Sequence, residues 1–163
     1  PNDRYINDAK IAEALAQMLN RVGIEASVET MPKAVYFKRA SRGGPNKSPE
    51  FSFMLLGWGA GSGEASSPLK ALLHTYDKSK GLGAANRGRH SDAEVDKLVK
   101  QALATVDADA RGALLAKATE KAVGENYGVI PMHYQVNTWA AKAGYKYLPR
   151  TDERTIVTGL SKN

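Results

Sequence analysis

The chain has 163 residues, 42% hydrophobic and 25% charged, the composition of a globular protein large enough for one real core. With no cysteine, disulfides and thiolate metal sites are excluded, and no apolar run approaches the ~18 residues needed to span a bilayer. The net charge of +6 is spread over 23 basic and 17 acidic residues; the densest basic runs, Lys33 to Arg42 and Arg87 to Arg89, are short and read as solvated surface, not a nucleic-acid face.

Residues 4 to 22 read as a first helix, with Ile11, Leu15, Met18, Leu19 and Val22 on one stripe and Asn7 or Asp8 as its cap. Gly23 stops it, and Ile24 to Met31 alternates with period two, which predicts a strand. Helix, glycine and strand make half of a β-α-β unit, and the strand that should precede the helix is not in this sequence. Pro32 opens a short helix to about Ala40, followed by a polar Gly/Pro-rich loop at 41–50.

Phe51 to Leu56 is a short apolar run that predicts a strand covered on both faces. It breaks into Gly57, Gly59, Gly61 and Gly63, with Trp58 between the first two. Glycine at that density lets another molecule reach the main chain, and an aromatic beside it makes a small-ligand platform plausible. The plainer reading is a buried strand followed by a surface loop, with Trp58 filling the core.

Ser66 or Ser67 with Pro68 starts a helix bearing Leu69, Leu72 and Leu73, and residues 75 to 90 read as an ordered loop over the surface. Ser91-Asp92-Ala93-Glu94 matches a capping box, and Val95, Leu98, Val99, Ala102 and Leu103 form the buried stripe of the helix it opens. A second helix, from Asp107 or Asp109 to about Glu125, turns Leu114, Leu115, Ala118, Ala122 and Val123 inward. The two predict an antiparallel hairpin packed on the sheet. Val129 to Trp139 is a strand region that Pro131 confines to an edge or breaks, and Thr155 to Leu160 is a last possible strand.

Catalytic patterns are lacking. His74, His90 and His133 have no metal-binding spacing, and the glycines at 57–63 match neither a phosphate loop nor a dinucleotide fingerprint. Gly61-Ser62-Gly63 is not a nucleophile elbow, and Asp92, Asp96, Asp107 and Asp109 are accounted for by helix starts. No catalytic residue, metal or cofactor is expected.

Several segments in order carry a resemblance: Asn2-Asp3-Arg4-Tyr5 before a helix, Gly23-Ile24, the apolar run ending in Gly57-Trp58, Ser91 to Asp96, Arg111, and Ile130-Pro131-Met132-His133-Tyr134. Across nearly all 163 residues they resemble the extracytoplasmic solute-binding proteins of peptide- and nickel-type ABC importers, family 5, which includes the dipeptide- and oligopeptide-binding proteins. The resemblance implies an α/β fold: one lobe of a type II periplasmic-binding-protein fold, a mixed β-sheet flanked by helices, its first strand missing. It implies a carboxy-terminal ligand-binding lobe at 1–145 and a tail at 146–163 returning to an absent amino-terminal lobe, so that Pro1 is read as a boundary within a longer protein.

The same resemblance implies a function. The chain would not be an enzyme; it would capture a peptide or related small solute and deliver it to membrane permease subunits, in the periplasm or on the outer side of a membrane that anchors it. Gly57, Trp58, Gly59, Ala60, Gly61, Ser62 and Glu64 would line the ligand cleft. Gly61 stands where the family's ammonium-binding aspartate is expected, and Glu64 matches a nearby acidic or polar position. A capped peptide, a sugar, an opine or another solute is therefore open, as is Glu64 taking over the ammonium. Two readings compete: a small hydrolase using Glu64 and His133, and a basic interaction protein.

Overall fold

The computed structural model describes residues 1–150 and 152–162, so two positions of the tail expected at 146–163 lie outside the described residues. The chain divides into two compact units, Pro1–Pro131 and Met132–Asn163. The larger unit holds helices α1 (Asp8–Arg21), α2 (Lys33–Arg42), α3 (Ser66–Pro68, continued by a wide π-type turn over Leu69–Leu73), α4 (Ala93–Ala104) and α5 (Ala108–Thr119, continued likewise over Glu120–Glu125). The smaller holds β1 (Tyr145–Tyr147) and β2 (Leu160–Lys162), paired antiparallel with Lys146 opposite Ser161. None of the helices is long and apolar enough to cross a membrane.

This overturns the expected fold class. The chain is mostly helical, and the β1–β2 pair is the one sheet among the described residues, not a mixed sheet flanked by helices. The stretches that read as strands, 24–31, 51–56 and 129–139, run mainly as irregular chain outside any ladder. Period-two alternation says which way side chains point, whereas a strand needs a neighbour to take its N–H and C=O groups. In 24–31 some of those groups find partners other than a neighbouring strand. Asn20 Nδ2 donates to the Ala26 carbonyl at 2.8 Å, its Oδ1 accepts from the Ala26 N–H at 3.2 Å, and the Met31 carbonyl accepts from the Asn2 N–H at 3.1 Å. One asparagine thus plays the part of a partner residue.

The main core is the α4–α5 hairpin. Its apolar faces close on α3, burying Leu69, Leu73, Val95, Val99, Ala102, Leu115, Ala118 and Ala122. In place of the expected sheet, the hairpin packs on the Leu69–Leu73 turn, and Leu103, expected inward, is 41% exposed. The cap of α4 also differs by one residue. Asp92, not Ser91, sits at the N-cap and accepts from the Glu94 and Val95 N–H groups, both at 2.9 Å, while Ser91 Oγ is 2.8 Å from Thr75 Oγ1. Asp107 caps α5 in the same way, accepting from the Ala110 N–H at 2.8 Å.

A second small core gathers Met31, Tyr36 and Ala40 with Phe37, Phe51 and Met54. Arg39 lies across its edge, paired with Glu29 and Glu50 and placed over the Phe51 ring. Beside it an apolar cleft of about 310 Å³ opens, its lining including Leu15, Leu19, Val28, Met31 and Phe51. In the smaller unit a concavity of about 480 Å³ is lined by Trp139, Tyr145, Tyr147, Ile156 and Leu160, among others.

Candidate functional site

The glycine-rich stretch is held at both ends and open between them. At its entry, the Tyr36 hydroxyl donates to the Leu55 carbonyl at 2.7 Å and Phe51 packs on the Tyr36 ring at 5.6 Å between centroids. Against the expectation of a run covered on both faces, Phe53 is 71% exposed, so only one side is packed. Next, the Tyr5 hydroxyl donates to the Gly57 carbonyl at 3.0 Å, and the Tyr5 ring lies so near that a Cβ on Gly57 would meet it at 2.8 Å. Gly57 is therefore glycine for a reason of space.

Trp58 comes next, 44% exposed. The core-filling reading of this indole is thereby excluded. Gly59, Ala60, Gly61 and Ser62 are exposed, with open space around the α-carbons of Gly59 and Gly61, and the Gly63 N–H closes a turn on the Ala60 carbonyl at 2.9 Å. The stretch presents main-chain donors and acceptors to solvent beside one broad aromatic face.

At the exit, Glu64 is the only ionisable residue between Phe51 and Leu69, and it is taken. Arg111, in the first turn of α5, donates from Nε to Glu64 Oε2 at 2.8 Å and from Nη2 to Oε1, which also accepts from the Ser66 hydroxyl. This two-pronged pairing fixes both carboxylate oxygens and staples the end of the loop to α5. It holds the Glu64 carboxyl down at about 2, chiefly through Arg111 and then Ser66, and raises the Arg111 guanidinium above its usual range.

A pH dependence results, with a definite sign. A carboxyl whose folded value lies below its ordinary 4.5 adds stability that is complete above that value and fades as pH falls toward 2. The gap in thermal midpoint between the native chain and Glu64→Gln is expected to be widest above about pH 5 and to close on acidification toward pH 2. Other depressed carboxyls, such as Asp77 and Asp92, are common to both proteins and cancel in the difference. A gap that stayed constant down to pH 2 would show that ionisation of Glu64 contributes nothing to stability.

The structure thus brings together the six predicted residues Gly57 to Ser62 as one exposed surface and places Glu64 at its edge, turned to Arg111. His133 lies exposed in the smaller unit. Sequence reasoning missed two pairings, Tyr5–Gly57 and Glu64–Arg111, separated by 52 and 47 residues; no local periodicity links positions that far apart.

Two histidines lie elsewhere. His74 is 2% exposed, its Nδ1 2.8 Å from the Thr75 carbonyl oxygen and 3.3 Å from Asp96 Oδ1; His90 Nδ1 is 2.7 Å from the Leu73 carbonyl oxygen. Both are fastened to the main chain of the 73–90 region, a role in packing. Among the described residues no three His, Cys, Asp or Glu side chains converge as metal ligands would. No protein-family model, curated protein or solved structure matches the chain.

Proposed function

We propose that the chain is the ligand-capturing lobe of an ABC-transporter solute-binding protein, acting outside the cytoplasm. It closes with a second lobe over a peptide or related small solute and hands it to permease subunits, with no catalytic step. The observation that carries this reading is the bare main chain of residues 59–62 beside the exposed Trp58 indole, between ends fastened by Tyr5 and Arg111. A binding surface gains from such preorganisation, because less freedom is lost when ligand arrives. The ordered series of sequence segments gives further support, whereas the fold, with one two-stranded pair among the described residues in place of a mixed sheet, runs against it. Glu64 has both oxygens committed, so the hydrolase reading has no observation in its favour.

The experiment begins with native mass spectrometry of protein secreted to the periplasm, to identify co-purifying solute. Titration of that solute into native protein and Trp58→Ala should then show affinity falling about tenfold, the worth of one good aromatic contact. Helix content and thermal midpoint should stay close to native, since Trp58 is 44% exposed and belongs to neither apolar core. Equal affinities in the two proteins would remove Trp58 from the site.

A further inference from the structure

The main-chain wall beside Trp58 has a charge character that narrows what it recognises. From Phe51 to Leu69 the sequence holds one ionisable side chain, Glu64, and Arg111 takes both its oxygens while Ser66 adds a third donor. A ligand ammonium group arriving at this loop would have to compete with a guanidinium already bound in its best, forked geometry. Gly61, midway along the loop, brings no side chain at all, and open space surrounds it. What the loop itself then offers is uncharged: peptide N–H and C=O groups, the Ser62 hydroxyl and the face of an indole. Donors and acceptors of that kind beside a flat aromatic match a ring that carries hydroxyl groups, with its C–H face on the indole and its hydroxyls on the main chain.

Resting on the proposed binding role of this surface, we propose that it takes an uncharged, hydroxyl-bearing ring of the pyranoside type, and that Glu64 is a positioning residue for the loop, not an anchor for a ligand ammonium. Arg111 then acts as an internal occupant of the place where a charged amine would otherwise dock. At the entry the Arg4 guanidinium lies 5.1 Å from the centre of the Tyr5 ring. Its position on that ring accounts for it without an anionic ligand.

The test uses the whole chain with two probes, cellobiose for the uncharged ring and trialanine for a ligand with a free ammonium. The chain has two tryptophans, so Trp139→Phe leaves Trp58 as the sole indole, and its emission reports binding directly, with calorimetry alongside. Cellobiose should shift the Trp58 emission and bind at least tenfold more tightly than trialanine. Arg111→Met should raise trialanine affinity by about tenfold by releasing the Glu64 carboxylate, and Glu64→Gln in the same chain should cancel that gain. A merely structural staple gives no such gain, so this pair of variants separates the two roles even if each lowers stability.

Trialanine binding the native chain as tightly as cellobiose, with Glu64→Gln abolishing it, would overturn the inference and leave the binding surface standing. Neither probe perturbing Trp58 would overturn the inference together with the reading of the surface on which it rests.

Discussion

Val99→Asp is expected to unfold the larger unit. Val99 and Val95 are the largest fully buried side chains, and Val99 sits in the apolar seam where α4 meets α5 and the Leu69–Leu73 turn. The cluster around it consists of Leu, Val and Ala side chains, with no donor to meet a carboxylate. The ion pairs of Lys121 with Glu94 and Glu125 hold the carboxylates largely exposed, at 64% and 61%. An unpaired charge buried in such a place costs about 3–5 kcal/mol, against a total of about 5–15 kcal/mol for an ordinary domain. Val99→Ala, which only leaves a small void, should cost about 2 kcal/mol and remain folded. Urea titrations followed by circular dichroism distinguish the cases: a native-like midpoint for the aspartate variant would mean that α4 and α5 are not the core.

The hairpin is also the part most legible in the sequence, for a physical reason. Val95, Leu98, Val99 and Ala102 recur at helical spacing, as do Leu115, Ala118 and Ala122, and a helix satisfies its own backbone. Its pattern needs no knowledge of the rest of the molecule. Even the cap is legible to within one residue. Ser91 and Asp92 are both good cap residues, and Thr75, a distant residue that engages the Ser91 hydroxyl, decides between them. Strands depend on neighbours, and here local pattern misleads. Ile24 to Met31 alternates as a half-buried strand should, yet Ile24 is 54% exposed and the backbone bonds at Ala26 go to Asn20. The same holds beyond Pro131, where Tyr134 is 97% exposed and Val136 76%.

In the candidate site the split falls between backbone and side chains. That Gly57 to Gly63 would bare its main chain follows from glycine having no Cβ, and the space around Gly59 and Gly61 agrees. The partners of its ends are another matter. Tyr5 and Arg111 belong to the start of the chain and to α5, and only tertiary folding brings them to Gly57 and Glu64. The consequence for function is direct: an acidic residue that sequence alone offers as a ligand anchor is, in the folded chain, already one half of an ion pair.

Gly83→Ala is expected to cost about 3 kcal/mol, and Gly81→Ala, two residues earlier, only about 1 kcal/mol. Both glycines have left-handed backbone, with φ of 64° at Gly81 and 61° at Gly83, so both substitutions carry the strain of an L side chain in that region. They differ in space. A Cβ on Gly81 meets nothing within 4 Å, whereas on Gly83 it would lie 2.4 Å from the His74 carbonyl oxygen and 2.8 Å from the Tyr76 α-carbon. Neither neighbour can retreat cheaply. The His74 carbonyl accepts from Asn86 Nδ2 at 3.0 Å, and the same amide group, 3% exposed, donates to the His90 carbonyl at 2.7 Å and accepts from the His90 N–H at 3.0 Å. The Gly83 N–H itself donates to the Lys70 carbonyl at 3.0 Å. To make room, the loop must give up at least one of these buried hydrogen bonds, adding about 1–3 kcal/mol to the backbone strain. Denaturant midpoints of the two variants measure the difference, and amide exchange at His90 should quicken in Gly83→Ala alone. Equal midpoints would show that the 74–90 loop is slack, and that Asn86 does not bind its two ends together.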